Sequence, residues 1–284
     1  MTTWTIRSAL SWANGLLEEH GSETPRLDAE IILAFALHLG RTALYKDRDQ
    51  ALAPQVYAGY RGLIERRAQG EPVAYIVGEK EFYSLAFKVN PCVLIPRPET
   101  EILVEQAIAL APKGLPVLEI GVGSGAVLVA ILAHRPDLKG IGVDISQDAV
   151  RLAKENAILH RVATRISFIV GDALNAIAGK FHLIVMNPPY IGCRDAVALK
   201  RDVMHYEPEI ALFSGNDGLD VIRKVFMHVP ENLAPGGRLI METGYDQQRA
   251  IEEIVGKMQG FKTDRWIRDL SGTPRVVIVE REDG

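Results

Sequence analysis

Two hydrophobic periods divide the chain. Over residues 1 to about 75 apolar positions recur at helical spacing. Ile6, Leu10, Ala13 and Leu17 form one stripe, and "PRLDAEIILAFALHLG" reads as a helix with acidic residues in its first turn and Gly40 as its C-cap. "YRGLIERRAQGEP" gives a further helix ended near Gly70 and Pro72; its Arg61, Arg66 and Arg67 read either as a solvated face or as a contact surface for a nucleoprotein partner. Between residues 80 and 98 the period falls to two. Tyr83, Leu85, Phe87 and Val89 alternate with Ser84, Ala86, Lys88 and Asn90, which predicts a β-hairpin joining two domains.

From Glu99 a helix, "PETEILVEQAIALAP", leads into a strand and helix alternation. The strand-like segments are "PVLEIGVGSG", "KGIGVDIS", "ISFIVGDA", "FHLIVMNPPY", "GGRLIMETG", "FKTDRWIRD" and "PRVVIVERE". Helices separate all but the last two, so the spacing predicts a doubly wound, mostly parallel seven-stranded sheet ending in an antiparallel edge hairpin. That ending favours a methyltransferase-type α/β sheet over an ordinary dinucleotide fold. The predicted organisation is a helical domain over 1–75, a β-hairpin linker over 76–98 and an α/β domain over 99–284.

Composition narrows the class of function. The chain has 284 residues, is 48% hydrophobic, and carries 32 basic against 36 acidic side chains for a formal net charge of -4, so it has no global attraction to nucleic-acid phosphates. Cys92 and Cys193 lie far apart without CxxC spacing, which argues against a disulfide framework or a zinc site and suits a reducing cytoplasm. The first twenty residues lack the pattern of a signal peptide, and no apolar run approaches the length of a membrane span. A cytoplasmic protein with no metal is expected.

Candidate chemistry gathers at successive strand ends. "LEIGVGSG" is a strand running into a turn with Gly121, Gly123 and Gly125, where glycine permits unusual φ and close approach of a ligand to the backbone. The spacing is GxGxG and not the dinucleotide GxGxxG. The next strand ends in Asp144, a suitable acceptor for two ribose hydroxyls, with Ser146 available to cap the following helix. The third ends in Asp172 and Ala173, suited to an adenine amine and ring. The ligand this pattern fits is S-adenosylmethionine, with S-adenosylhomocysteine as product, better than NAD.

The fourth strand breaks into Asn187, Pro188, Pro189 and Tyr190. Proline fixes its own φ and restricts its predecessor, so the loop is stiff. Stiffness allows the Asn187 side-chain oxygen and the Pro188 carbonyl to accept both hydrogens of one NH2 group, while Tyr190 lies against a planar amide or base. The tetrapeptide leaves an adenine and a glutamine acceptor equally open.

The wider sequence resembles one family. "PRLDAEIIL", "EPVAYIVGEKEFYSLAFKVNPCVLIPRPETE", "NPPYI", "YEPEIALFSGNDGL" and "RDLSGTPRVV" are similar to the HemK/PrmC family of release factor glutamine methyltransferases, over about residues 25 to 280. The resemblance implies a class I S-adenosylmethionine-dependent methyltransferase fold. It implies methylation of the glutamine side-chain nitrogen, N5, in the Gly-Gly-Gln motif of class I peptide chain release factors, the helical domain contacting that partner. By the same resemblance Gly121, Val122, Gly123, Ser124, Gly125, Asp144, Ala173 and Asn187 would contact S-adenosylmethionine, and Asn187, Pro188, Pro189 and Tyr190 would hold the glutamine. Glu119, where many members have Asp, still offers a carboxylate to the methionine amine. Ala173 replaces a bulkier residue of some relatives, and "FSGNDGL" varies the usual double-glycine turn. The competing readings are an adenine-N6 DNA methyltransferase and a glutamine methyltransferase of a ribosomal protein.

Overall fold

Local signals start the first helix, Ile6–Glu19, with a capping box: the Thr5 hydroxyl accepts from the Ser8 amide at 3.2 Å, and the Ser8 hydroxyl accepts from the Thr5 amide at 2.8 Å. Its buried stripe is Ile6, Ala9, Ala13 and Leu17, with Leu10 on the flank. The second helix, Pro25–Leu37, has proline in its first turn and ends at His38 in the left-handed region, φ 54°. The Leu39 amide returns to the Ala34 carbonyl at 2.9 Å and closes the last turn. Gly40, the expected C-cap, instead begins the short helix Arg41–Lys46. A histidine in that conformation carries no sequence mark, whereas a glycine two residues on does.

The computed structural model describes residues 4–198 and 201–283. They divide into two units: the chain up to Glu79 with the segment ending in Tyr206, and the chain from Lys80 with that from Glu207 onward. The first is helical, adding Pro54–Ala68 and Val73–Val77 to the helices above. Its core joins Leu17, Ile32, Leu33, Tyr60 and Ile64. Arg67, read from sequence as part of an exposed set, is only 14% exposed and pairs at 2.7 Å with Asp28, which also accepts from the Ser22 and Thr24 hydroxyls. Arg61 does face solvent, paired with Glu65 one helical turn on.

The strands β1, Glu79–Phe82, and β2, Leu85–Lys88, form a two-stranded hairpin. Tyr83 and Ser84 make its turn, with φ of 50° and 59°. Period-two reading runs straight through this pair, because the φ > 0 turn lacks its usual Asn and Gly. Phe82 and Phe87 are fully buried against the sheet unit's core.

That sheet holds β3, Val117–Ile120; β4, Gly140–Asp144; β5, Ile166–Val170; β6, Phe181–Met186; β7, Leu233–Glu242; β8, Phe261–Arg268; and β9, Pro274–Arg281. The order is β5-β4-β3-β6-β7-β9-β8. The first five are parallel, and β9 pairs antiparallel with both β7 and β8. The doubly wound sheet and its antiparallel edge are those expected from sequence. Side chains alternate between two cores. Val117, Leu183, Val185 and Ile240 meet the helices Glu101–Leu110 and Ala126–His134, while Leu118, Ile184, Met186 and Met241 meet Asp220–Asn232 and Gln248–Val255. From β3 the chain winds outward to β5 and then returns to β6 on the opposite side of β3. This reversal opens a crevice at the carboxyl ends of the strands, where such sheets bind ligands.

Candidate active site

The crevice holds a cavity of about 230 Å³. Its wall takes Glu119, Gly121, Val122, Gly123 and Ser124 from β3 and the turn after it, Asp144 from β4, Asp172 and Ala173 after β5, and Asn187 and Pro189 after β6. Ten of the thirteen residues singled out from sequence thus meet on one surface. Gly125, Pro188 and Tyr190 do not line it.

The glycine turn is built for close approach. Gly121, Gly123 and Gly125 have φ of 75°, 51° and 82°, all in the region that favours glycine. A Cβ at Gly123 would meet no protein atom within 4 Å, so this part of the turn is open. At Gly125 it would lie 3.0 Å from the Ala153 Cβ, so that glycine serves the packing of one helix on the next. Asp144 ties the turn to its own strand end: Oδ2 accepts from the Gly123 amide and Oδ1 from the Ser146 amide, each at 2.9 Å. Ser146 caps the next helix through the Ala149 amide, the role expected of it. Asn156, fully buried, donates from Nδ2 to the carbonyls of Ser124 and Lys88, linking the turn to β2.

Two carboxyls in this wall have no cationic partner among the described residues. Burial pushes Glu119 well above the usual carboxylate range; the Leu128 amide at 3.2 Å opposes this and the Asp144 charge adds to it. Burial also raises Asp144, against the amides of Ser146, Gly123 and Ile145. A ligand bringing a positive charge and hydroxyl donors relieves both desolvation costs. Asp172 differs: it is half exposed and ion-paired with Lys224. Ala173 beside it has φ 51°, an uncommon conformation for alanine.

At the end of β6 the Asn187 Nδ2 donates to the Thr100 hydroxyl oxygen at 3.1 Å. Among the described residues nothing donates to the Asn187 side-chain oxygen or to the Pro188 carbonyl, which leaves two acceptors on a stiff loop. Tyr190 does not line the cavity, and its hydroxyl donates to Glu242 Oε1 at 3.5 Å. Burial pushes its phenol pKa upward, with the Glu242 charge adding to the shift. Arg97 of "IPRPETE" and the buried Glu207 of "YEPE" form an ion pair, and both segments reach the cavity through Pro96, Arg97 and Pro208.

Sequence reasoning missed Thr100, Glu242 and Gln247. Glu242 was within reach of the rule that found Asp144, since it too is an acid at the carboxyl end of a strand. Thr100 stood inside a quoted motif, and only its neighbour across the fold gives it a task.

Residues 8–78 match the PrmC N-terminal domain family and residues 111–270 a methyltransferase domain family. The release factor glutamine methyltransferase of Geobacter sulfurreducens is 42% identical over 96% of this chain and 96% of its own length. That of Koribacter versatilis is 40% identical over 96% of this chain and 98% of its own. Among solved structures, a methyltransferase from Pyrococcus furiosus matches at a TM-score of 0.52 and 18% identity, covering 78% of this chain and 98% of that one. The tRNA m1G37 methyltransferase of M. jannaschii matches at 0.51 and 15%, over 72% and 56%. These two likenesses are of fold. At about two-fifths identity over nearly the whole of both chains, with the domain pair and the methyltransferase sheet in place, the chain belongs to the HemK/PrmC family of release factor glutamine methyltransferases.

Proposed function

We propose that this protein transfers a methyl group from S-adenosylmethionine to the side-chain nitrogen, N5, of the glutamine in the Gly-Gly-Gln motif of class I peptide chain release factors. One observation carries the reading. The Asn187 amide is held by its nitrogen on Thr100, so its oxygen is left to an NH2 donor at the edge of a cavity lined by two carboxyls, Glu119 buried and Asp144 half-buried, with no cationic partner among the described residues. The names of the relatives support glutamine over adenine, and the net charge of -4 weighs against a duplex DNA substrate.

In this reading Glu119 takes the ligand's ammonium, the turn Gly121–Gly125 its methionine part, Asp144 its ribose, and Asp172 and Ala173 its base. When bound, S-adenosylmethionine supplies an electrophilic methyl group on a sulfonium. The rest of the task is positional. An amide nitrogen is a poor nucleophile because its lone pair is delocalised into the carbonyl. Asn187 Oδ1 and the Pro188 carbonyl accept its two N–H bonds and so turn the lone pair toward the methyl carbon. Such orientation is worth on the order of 7–11 kcal/mol. The nitrogen's electron pair forms the new bond to the methyl carbon as the carbon–sulfur bond breaks and its pair stays on sulfur, leaving S-adenosylhomocysteine as the neutral thioether, and the methylated nitrogen then releases one proton to water. Tyr190 packs against the face of the amide. The helical domain over 1–75 contacts the release factor, the hairpin over 76–98 links, and 99–284 carries the transfer.

The test uses labelled S-adenosylmethionine and a purified release factor, alongside the same factor with Gln→Ala in its Gly-Gly-Gln motif. Label should enter the first and not the second. Equal labelling rejects the reading, and label entering a DNA oligonucleotide or a ribosomal protein in its place favours those acceptors.

A further inference from the structure

The polar contacts behind the Asn187–Tyr190 loop converge on Glu242, the last residue of β7. It is 2% exposed and has no ion-pair partner among the described residues. Its Oε1 receives a long hydrogen bond from Tyr190, and no hydrogen bond of ordinary geometry reaches its Oε2. A buried carboxyl oxygen without a partner is costly, and such exceptions call for an explanation. The Thr100 hydroxyl lies beside this carboxyl and favours its charged form. Thr100 is itself 4% exposed and is the residue that receives the Asn187 Nδ2. The main chain of the loop is held separately: Gln247 Nε2 donates to the Tyr190 carbonyl at 3.0 Å and its Oε1 accepts from the Gly244 amide at 2.9 Å. Glu242's own contacts are with the side chains of Tyr190 and Thr100, which set direction.

A hydroxyl has one proton to give and two lone pairs to offer. We infer that Glu242 is a positioning residue for the methyl acceptor: as a carboxylate it draws the Thr100 hydroxyl proton toward itself, so that Thr100 offers a lone pair to Asn187 Nδ2 and the amide oxygen faces the substrate NH2. This rests on the reading given under Proposed function. A protonated carboxyl, or a carboxamide in its place, brings a donor to Thr100. The Thr100 proton then turns toward Asn187 and favours the reversed amide, which presents N–H to N–H and repels the acceptor.

The groups around Glu242 are few. Tyr190 comes from the loop, Thr100 and Glu99 from the turn Pro98–Thr100, and Arg275 from β9, where it is already paired with Asp269 at 2.9 Å. Burial pushes the Glu242 carboxyl up to about 7; Glu99 adds to the shift, while Thr100, Arg275 and Tyr190 oppose it. Protonation thus falls near neutral pH, and the acceptor geometry is lost as pH drops through that value.

The experiment compares the full chain with Glu242→Gln, Thr100→Ser and Thr100→Val from about pH 5 to pH 9, following methylation of a release factor and, separately, calorimetric binding of that factor in the presence of S-adenosylhomocysteine. The wild-type protein should lose acceptor kcat/KM and acceptor affinity together on the acid side of about pH 7. Glu242→Gln should fall roughly tenfold or more below wild type at alkaline pH, lack that acid limb, and bind S-adenosylhomocysteine as before. Thr100→Ser should retain far more acceptor turnover than Thr100→Val. The inference is overturned by a Glu242→Gln protein with the wild-type rate and pH profile, or by equal turnover in the two Thr100 variants. If Glu242→Gln does not fold, the Thr100 pair decides alone. A wild-type protein that labels no release factor removes the functional reading itself, whereas active wild type with unaffected variants removes only this inference.

Discussion

The Asn187 Nδ2 donates to the Thr100 hydroxyl oxygen at 3.1 Å, although the two residues lie 87 positions apart in the chain. This bond decides which end of a nearly symmetric amide faces the cavity. Removing the amide should therefore separate chemistry from binding. Asn187→Ala is expected to lower release-factor methylation by roughly 100-fold or more, since loss of alignment at the reacting atoms costs that much. Binding of S-adenosylhomocysteine by calorimetry should change little, because Glu119, Asp144 and the glycine turn are untouched. A variant that retains turnover counts against the orientation argument.

The glycine turn gives a second separation. Gly125→Ala places a Cβ 3.0 Å from Ala153 at φ 82°, so it should lower thermal stability by about 1–3 kcal/mol. Gly123→Ala meets no protein atom within 4 Å, so its larger effect should appear in ligand affinity. Melting curves and calorimetry on both variants check the contrast.

Glu242 has a stability signature distinct from its proposed role in orientation. Its carboxyl is raised from 4.5 in the unfolded chain to about 7 in the native state. Between these values the native state keeps a proton that the unfolded state has lost, so stability falls as pH rises, by on the order of 3 kcal/mol in total. Glu242→Gln does not titrate. Its advantage over wild type in urea unfolding should be small below pH 4.5, grow through about pH 7 and stay level above it.

Within the helical unit, Arg67 and Arg61 should behave differently despite their shared helix. Arg67→Ala leaves the buried Asp28 without its cation and should cost about 3 kcal/mol. Arg61→Ala breaks an exposed pair with Glu65 and should cost less than about 0.5 kcal/mol. Urea unfolding read by the fluorescence of Trp4 and Trp12, both packed in this unit, measures the two.

Legibility in the sequence followed chemistry that is local. The sheet, its antiparallel edge and the strand-end residues Gly121, Gly123, Asp144 and Asn187 could be read because glycine turns, strand periods and strand-end acids are written within ten residues of one another. His38 as a helix cap and the turn at Tyr83–Ser84 could not, since both place ordinary side chains at positive φ, held there by packing and backbone bonds from elsewhere. Arg67 read as surface because a helix-face charge looks the same whether or not Asp28 waits beneath it.

The sequence by itself determined the fold class, the strand ends that line the cavity and a stiff loop carrying two acceptors. Only the tertiary structure decided how that loop is aimed. Asn187 is oriented by Thr100, Tyr190 by Glu242 and Gln247, and the glycine turn by Asp144 and Asn156. Each of these bonds joins segments that are distant in the chain, and an amide or hydroxyl has no preferred direction until a partner is brought within about 3 Å of it.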